Sequence, residues 1–233
     1  KNLAVFYGSC SYDCLFCQNW HYRLLAARKK PVVTARELAD VALRDRKVSC
    51  ICYFGGDPSS QMPHALKASE MALEGAREQG RIMRICWESN GNMNPNLALR
   101  AAELSFESGG VVKFDIKTWD ENLNKALCGV SNKATYENFR AIGDRFYRDR
   151  EEVPVLTAST LLVPGYVDAQ EVGAIAEFIA SVDPSIPYTL LAFYPQYVMD
   201  DLPCTPRRWA FECYRAAKKH LENVRIGNVH LLW

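Results

Sequence analysis

A chain of 233 residues suits one α/β barrel or sheet domain, and a hydrophobic fraction of 48% is that of a globular protein with a sizeable core. With 28 basic and 27 acidic residues the net charge is +1, which gives no electrostatic footprint for nucleic acid or a membrane surface as partner. No apolar run reaches the ~18 residues of a membrane span and no signal-peptide pattern is visible, so a cytoplasmic protein is expected.

Read in chain order, short apolar runs alternate with longer amphipathic stretches. Leu3–Tyr7 reads as a strand and leads into a loop, Gly8 to Trp20, that holds three cysteines. Ala35–Arg44 reads as a helix, with Thr34 as its N-cap and Glu37 three residues on. Strand Cys50–Phe54 precedes helix Pro63–Gln79, strand Ile82–Trp87 precedes helix Pro95–Glu107, and strand Val111–Phe114 precedes helix Ala134–Arg148. Strand Val153–Leu162 is followed by helix Asp168–Ser181, again with a capping pair in Asp168 and Glu171, and strand Tyr188–Ala192 by helix Pro206–His220. The strands are rich in Ile, Val, Phe, Tyr and Cys, as expected for strands buried on both faces. Residues 1–233 read as a single domain whose two ends do not look like natural termini, so flanking segments are expected.

Six successive βα units imply right-handed crossovers and a parallel sheet, either doubly wound or curled into a barrel. The unusual residues choose between them. Cys10 to Cys17, Gly55-Gly56-Asp57, Glu88-Ser-Asn-Gly91, Asp115-Ile-Lys117, Pro164-Gly165 and Tyr194-Pro195 all fall just after strands. Such loops gather on the carboxyl face of a parallel α/β fold, and only a barrel brings all of them around one centre. The expected fold is therefore a partial (βα)6 TIM barrel.

The chain has nine cysteines, at 10, 14, 17, 50, 52, 86, 128, 204 and 213. An odd number with no secretory signal argues for a reducing compartment. Six of them, Cys50, Cys52 and Cys86 included, are scattered and read as small buried hydrophobes. The other three form Cys10-x3-Cys14-x2-Cys17, and three thiolates in one short loop can hold a soft metal centre. A [4Fe–4S] cluster held this way keeps one iron open for reaction; a zinc ion completed by His21 or a distant cysteine is the alternative.

Cys10-x3-Cys14-x-Phe16-Cys17 resembles the signature of the radical S-adenosylmethionine (SAM) superfamily. Gly55-Gly56-Asp57 resembles that superfamily's Gly-Gly-Glu motif, and Asp115-Ile116-Lys117 the Asp-Leu-Lys element of pyruvate formate-lyase activating enzymes. Cys17-Gln-Asn-Trp20, Leu127-Cys-Gly129 with Asn138-Phe139, and Asp201-Leu-Pro-x-Thr205 extend the resemblance to activase-like proteins named for their association with AMMECR1 and Memo. The resemblance implies that Cys10, Cys14 and Cys17 ligate a [4Fe–4S] cluster. It implies that SAM lies against Gly55, Gly56 and Asp57, with glycine carbonyls accepting from its ammonium, and against Glu88, Asn90, Asp115 and Lys117. Phe16, Gln18 and Tyr194 are the implied adenine neighbours.

The implied activity is reductive cleavage of SAM to a 5′-deoxyadenosyl radical that abstracts hydrogen from a substrate the sequence does not identify. Activation of a glycyl radical enzyme, on a loop of a partner protein, is the narrower alternative. A non-catalytic zinc or iron–sulfur binding module is the further one. A ferredoxin or flavodoxin is the implied electron donor. The basic runs Arg23 with Arg28-Lys29-Lys30, and Arg44 with Arg46-Lys47, read as a solvated surface or as its docking patch.

Overall fold

The structure, a computed structural model, describes residues 1–150 and 152–233. Among the described residues seven strands lie side by side in chain order: β1 (Asn2–Val5), β2 (Cys50–Tyr53), β3 (Arg84–Ser89), β4 (Val112–Asp115), β5 (Leu156–Leu162), β6 (Tyr188–Ala192) and β7 (Val224–Gly227). Every neighbouring pair is parallel, and β1 and β7 are the two edges, so the barrel is open. The expected partial barrel is present with one strand more than the six foreseen. β7 is only Val-Arg-Ile-Gly, too short and too interrupted by charge to stand out as an apolar run.

The connections carry α1 (Tyr22–Arg28) and α2 (Ala35–Arg44), α3 (Met62–Glu78), α4 (Pro95–Ser108), α5 (Glu121–Cys128) and α6 (Lys133–Ile142), α7 (Ala169–Val182), and α8 (Arg207–Ala217). The capping box Thr34–Glu37 is formed. That of α7 is not: Asp168 caps it by accepting from Gln170 and Glu171, but the Glu171 carboxylate leaves its own helix and accepts the Trp119 and Asp120 N–H groups. α1 and α5, seven and eight residues long, were not foreseen. Among the described residues no helix is long and apolar enough to cross a membrane.

The strands are not buried on both faces by apolar groups. One face, including Ile51, Tyr53, Ile85, Trp87, Val112, Phe114, Leu156, Tyr188 and Leu190, is buried in the hydrophobic core. There Tyr53 stacks on Trp87 with ring centroids 4.5 Å apart, and the Trp87 indole N–H reaches the Ala101 carbonyl on α4. The alternate residues form the inner face: Cys50 and Cys52 on β2, Cys86 and Glu88 on β3, Lys113 and Asp115 on β4, Ser159 and Leu161 on β5, Leu191 on β6. Strand alternation thus separates a helix-covered core from a polar interior.

Candidate functional site

The three-cysteine loop is fixed by its backbone. Asp13 and Leu15 donate to the carbonyls of Cys128 and Leu127, at 2.8 and 2.9 Å, so the end of α5 holds the middle of the loop. Gly129 closes α5 in the left-handed conformation, φ 81°, which suits glycine and turns the chain away behind that clasp. On the other side Val198 and Met199, in the loop after β6, both donate to the Leu15 carbonyl. The Tyr12 hydroxyl, buried, bonds Thr135 on α6 at 2.8 Å. The Leu127-Cys-Gly129 motif therefore supports the loop that bears the thiols.

Those thiols line one cavity at the carboxyl ends of the strands. Its walls include Cys10, Cys14, Phe16, Cys17 and Gln18, then Gly55, Gly56 and Asp57, Glu88 and Asn90, and Asp115 and Lys117. The space between these walls, open mouth included, is about 850 Å³. Of the residues read as cofactor neighbours only Tyr194 does not line it, being 51% exposed on the surface, and the strand-end residues Pro164, Gly165 and Pro195 expected around the same centre are not in its walls either. A strand-end position alone does not specify which way a loop side chain turns.

Gly56 has a packing reason to be glycine. A Cβ there would lie 2.2 Å from the Tyr7 carbonyl oxygen and 2.4 Å from that of Ser9, and its φ is +54°. The close approach expected toward a ligand is at the same time an approach to the backbone just before Cys10. The Gly55 carbonyl accepts the Tyr7 N–H at 3.0 Å, extending the β1–β2 ladder.

Asp57 is buried, and its carboxylate accepts the Ser59 N–H, the Ser89 hydroxyl and the Asn90 N–H. Asn90 in turn donates to Ser11 Oγ at 3.0 Å and toward Cys10 Sγ at 3.7 Å. Both side chains thus tie the loops after β2 and β3 to the thiol loop. From this buried position the carboxylate also caps the short turn Pro58–Gln61.

The opposite wall is charged. Lys113 Nζ lies 2.7 Å from Glu88 and 3.7 Å from Asp115, and Lys117 Nζ lies 3.7 Å from the other Asp115 oxygen. Ser159 Oγ also donates to Asp115. Burial pushes Asp115 up, but Lys117 and Lys113 outweigh it and hold the carboxyl below its ordinary value. Burial likewise works against the Lys117 ammonium, and Asp115, with Cys14, Cys128 and Cys10 behind it, keeps that group above its ordinary value. The wall therefore presents a fixed cation beside a fixed anion at neutral pH.

The thiols themselves are shifted upward. Burial raises Cys10 to about 12 and raises Cys17, while Cys14 is raised first by its hydrogen bond with Cys128 and then by burial. Cation binding must displace these protons. Among the described residues no group of three or more His, Cys, Asp or Glu is gathered closely enough to hold a single metal ion. The irons of a cluster spread their thiolates more widely than one ion does.

Tyr12, Asn19, Phe54, Ser159, Leu161 and Leu191 also line the cavity and were not foreseen. Strand alternation with Asp115 on β4 would have flagged Ser159, its register partner, as facing inward.

The family model of the radical SAM superfamily matches residues 4–179. A Methanocaldococcus jannaschii protein, "Putative glycyl-radical enzyme activating enzyme MJ1632", is 33% identical over 193 residues, covering 83% of this chain and 67% of that one. Among solved structures, Streptococcus suis SuiB bound to its precursor peptide SuiA superimposes with TM-score 0.67 at 15% identity, over 99% of this chain and 49% of SuiB. A domain of pyruvate-formate lyase-activating enzyme from Bacteroides vulgatus gives TM-score 0.57 at 18% identity, over 76% of this chain and 98% of the domain. The chain thus spans about half the length of SuiB, and both likenesses are of fold. With the family model covering most of the chain and its three-cysteine loop at the mouth of an open parallel barrel, this protein belongs to the radical SAM superfamily, whose members use a [4Fe–4S] cluster and SAM.

Proposed function

We propose that the chain is a radical SAM enzyme acting on a peptide segment or a loop of a partner protein, as an activating enzyme does. The observation that carries the reading is the convergence on one cavity of three thiols, a glycine-lined backbone and a paired cation and anion. The donor set fits the cofactors: three soft ligands leave one iron of a [4Fe–4S] cluster without a protein ligand, and Lys117, held charged beside Asp115, is a cation suited to the carboxylate of SAM's amino acid part. When bound, the cluster supplies the electron that cleaves SAM and, through that cleavage, the means to abstract a hydrogen atom from substrate.

In this reading Cys10, Cys14 and Cys17 hold the cluster. Lys117 binds the methionine carboxylate, the Gly55-Gly56 backbone the amino group, and Asp115 and Glu88 the ribose side. Phe16 and Gln18 border the adenine. Asp57 and Asn90 position the loops that do this.

The open edge between β1 and β7 favours a substrate that enters from the side as an extended segment, and the 33% identical relative supports the activase form. A ferredoxin or flavodoxin is the proposed reductant. Arg23 pairs with Asp13 and packs over Tyr197, so the cationic stretches we propose for docking it are Arg28-Lys29-Lys30 and Arg44 with Arg46-Lys47, all exposed. The nine free thiols suit the reducing cytoplasm we propose for it.

Electron paramagnetic resonance of the dithionite-reduced protein tests the cofactor arrangement. Adding SAM should change the cluster spectrum; an unchanged spectrum overturns it. For the substrate class, a Cα-deuterated glycyl peptide should pass deuterium into 5′-deoxyadenosine, and transfer only from small molecules would contradict the peptide reading.

A further inference from the structure

Three further cysteines share the inner face, amino-terminal along the strands to the residues that line the cavity. They do not form the uniformly buried apolar set expected of them. Cys128 and Cys213 are fully buried and Cys52 nearly so, but Cys50 and Cys86 are only partly buried and face each other across β2 and β3, with their sulfurs 3.4 Å apart. Cys52 is the direct register partner of Cys86, yet its sulfur is aimed at Glu88, 3.9 Å away.

We propose that Cys86 is a peroxide-reactive thiol and Cys50 its resolving partner, forming a modification site separate from the three-cysteine loop. The Cys50 thiol donates to the Cys86 sulfur, and this bond, helped by the Val111 N–H and Arg84, holds Cys86 below the ordinary thiol value despite its burial. Burial pushes Cys52 up to about 12, so it stays protonated, and Cys213 is raised likewise. A thiolate-prone, partly exposed cysteine with a second thiol in contact is the arrangement that makes a cysteine sensitive to oxidants.

The reaction balances with hydrogen peroxide as oxidant. The Cys86 sulfur attacks one peroxide oxygen; an S–O bond forms, the O–O bond breaks, and the departing hydroxide takes up the thiol proton as water. The Cys50 sulfur then attacks the sulfenic sulfur of Cys86; the S–S bond forms, the S–O bond breaks, and the hydroxyl leaves with the Cys50 proton as a second water. Peroxide gains two electrons and the thiol pair loses two. The sulfurs, 3.4 Å apart, must close by about 1.4 Å to reach disulfide length, and because Cys50 stands in register with Arg84 rather than with Cys86, the two strands must also shift toward each other along the sheet for the bond to form. The product would staple β2 to β3, the strands whose ends carry Gly55 to Asp57 and Glu88 to Asn90.

Peptide mapping by mass spectrometry tests this on anaerobically reconstituted protein treated with hydrogen peroxide, with and without dimedone. Because oxidation is assigned peptide by peptide, damage to the loop cysteines does not interfere, and the outcome is independent of whether SAM is cleaved. The wild-type protein should yield a Cys50–Cys86 disulfide. Cys50→Ser should instead carry the dimedone adduct on Cys86, and Cys86→Ser should slow oxidation of Cys50 at least tenfold. A Cys52–Cys86 or Cys50–Cys52 linkage in the wild-type protein, or labelling of Cys86 no faster than of Cys213, overturns the proposal.

Discussion

Lys117 Nζ stands 3.7 Å from one oxygen of Asp115, and Lys113 Nζ stands 3.7 Å from the other, so a single carboxylate is held between two ammonium groups on the cavity wall. The two lysines differ in their second partner. Lys113 is also paired with Glu88 at 2.7 Å, whereas the sulfurs of Cys14, Cys128 and Cys10 contribute to the field on Lys117.

That difference gives the first prediction. Lys117→Met should weaken SAM binding by at least about tenfold, or about 1.4 kcal/mol. Lys113→Met should change affinity much less, because Lys117 remains to meet the methionine carboxylate. Isothermal titration with SAM under anaerobic conditions reads both, and equal losses in the two variants would remove Lys117 from its assigned role.

A second prediction separates two glycines of similar backbone. Gly56 and Gly80 both have positive φ, +54° and +60°, but a Cβ at Gly56 meets two carbonyl oxygens under 2.5 Å while one at Gly80 meets nothing within 4 Å. Gly80→Ala should cost about 1 kcal/mol, the left-handed penalty alone. Gly56→Ala should cost at least about 2 kcal/mol more, since backbone on both sides must shift. Urea unfolding measures the difference; similar costs would mean that the Tyr7–Ser9 segment yields freely.

Glu171 provides a pH prediction away from the cavity. Burial raises its pKa although it accepts the Trp119 and Asp120 N–H groups, two and three residues past Lys117. The folded state then binds this proton more tightly than the unfolded chain does. Stability from this group is full below the unfolded glutamate value and falls as pH rises through the raised folded value. Glu171→Gln should lack that component, so the wild-type curve minus the variant curve should slope downward from about pH 4.3. An upward slope would contradict the assignment.

The metal is the fourth prediction. Anaerobic reconstitution should give about four irons and four sulfides per chain, lost in Cys10→Ala, Cys14→Ala or Cys17→Ala and retained in Cys213→Ala. Stoichiometric zinc without iron in the native protein would contradict it.

Much of this was legible in the sequence because it rests on short-range patterns. The thiol loop declares itself by spacing, and the strand ends of β1 to β4 brought every cofactor neighbour foreseen there to one cavity, while Pro164-Gly165 and Tyr194-Pro195 after β5 and β6 stay outside it. What escaped depends on long-range packing. β7 forms because β6 offers it a ladder, not because Val-Arg-Ile-Gly has strand character of its own. Asp57 reads from its motif as a neighbour of SAM, and its bonds to Ser89 and Asn90, which brace two loops, are visible only once those residues are folded against it. Cys50 and Cys86, 36 residues apart, looked like core and meet only through the β2–β3 pairing.

The most direct measurement is product analysis of SAM incubated with the reconstituted, dithionite-reduced protein. The account predicts slow formation of 5′-deoxyadenosine and methionine in equal amounts, abolished by Cys14→Ala and much reduced by Lys117→Met. A protein that carries its full complement of iron and sulfide, is reduced, and forms no 5′-deoxyadenosine from SAM would contradict it.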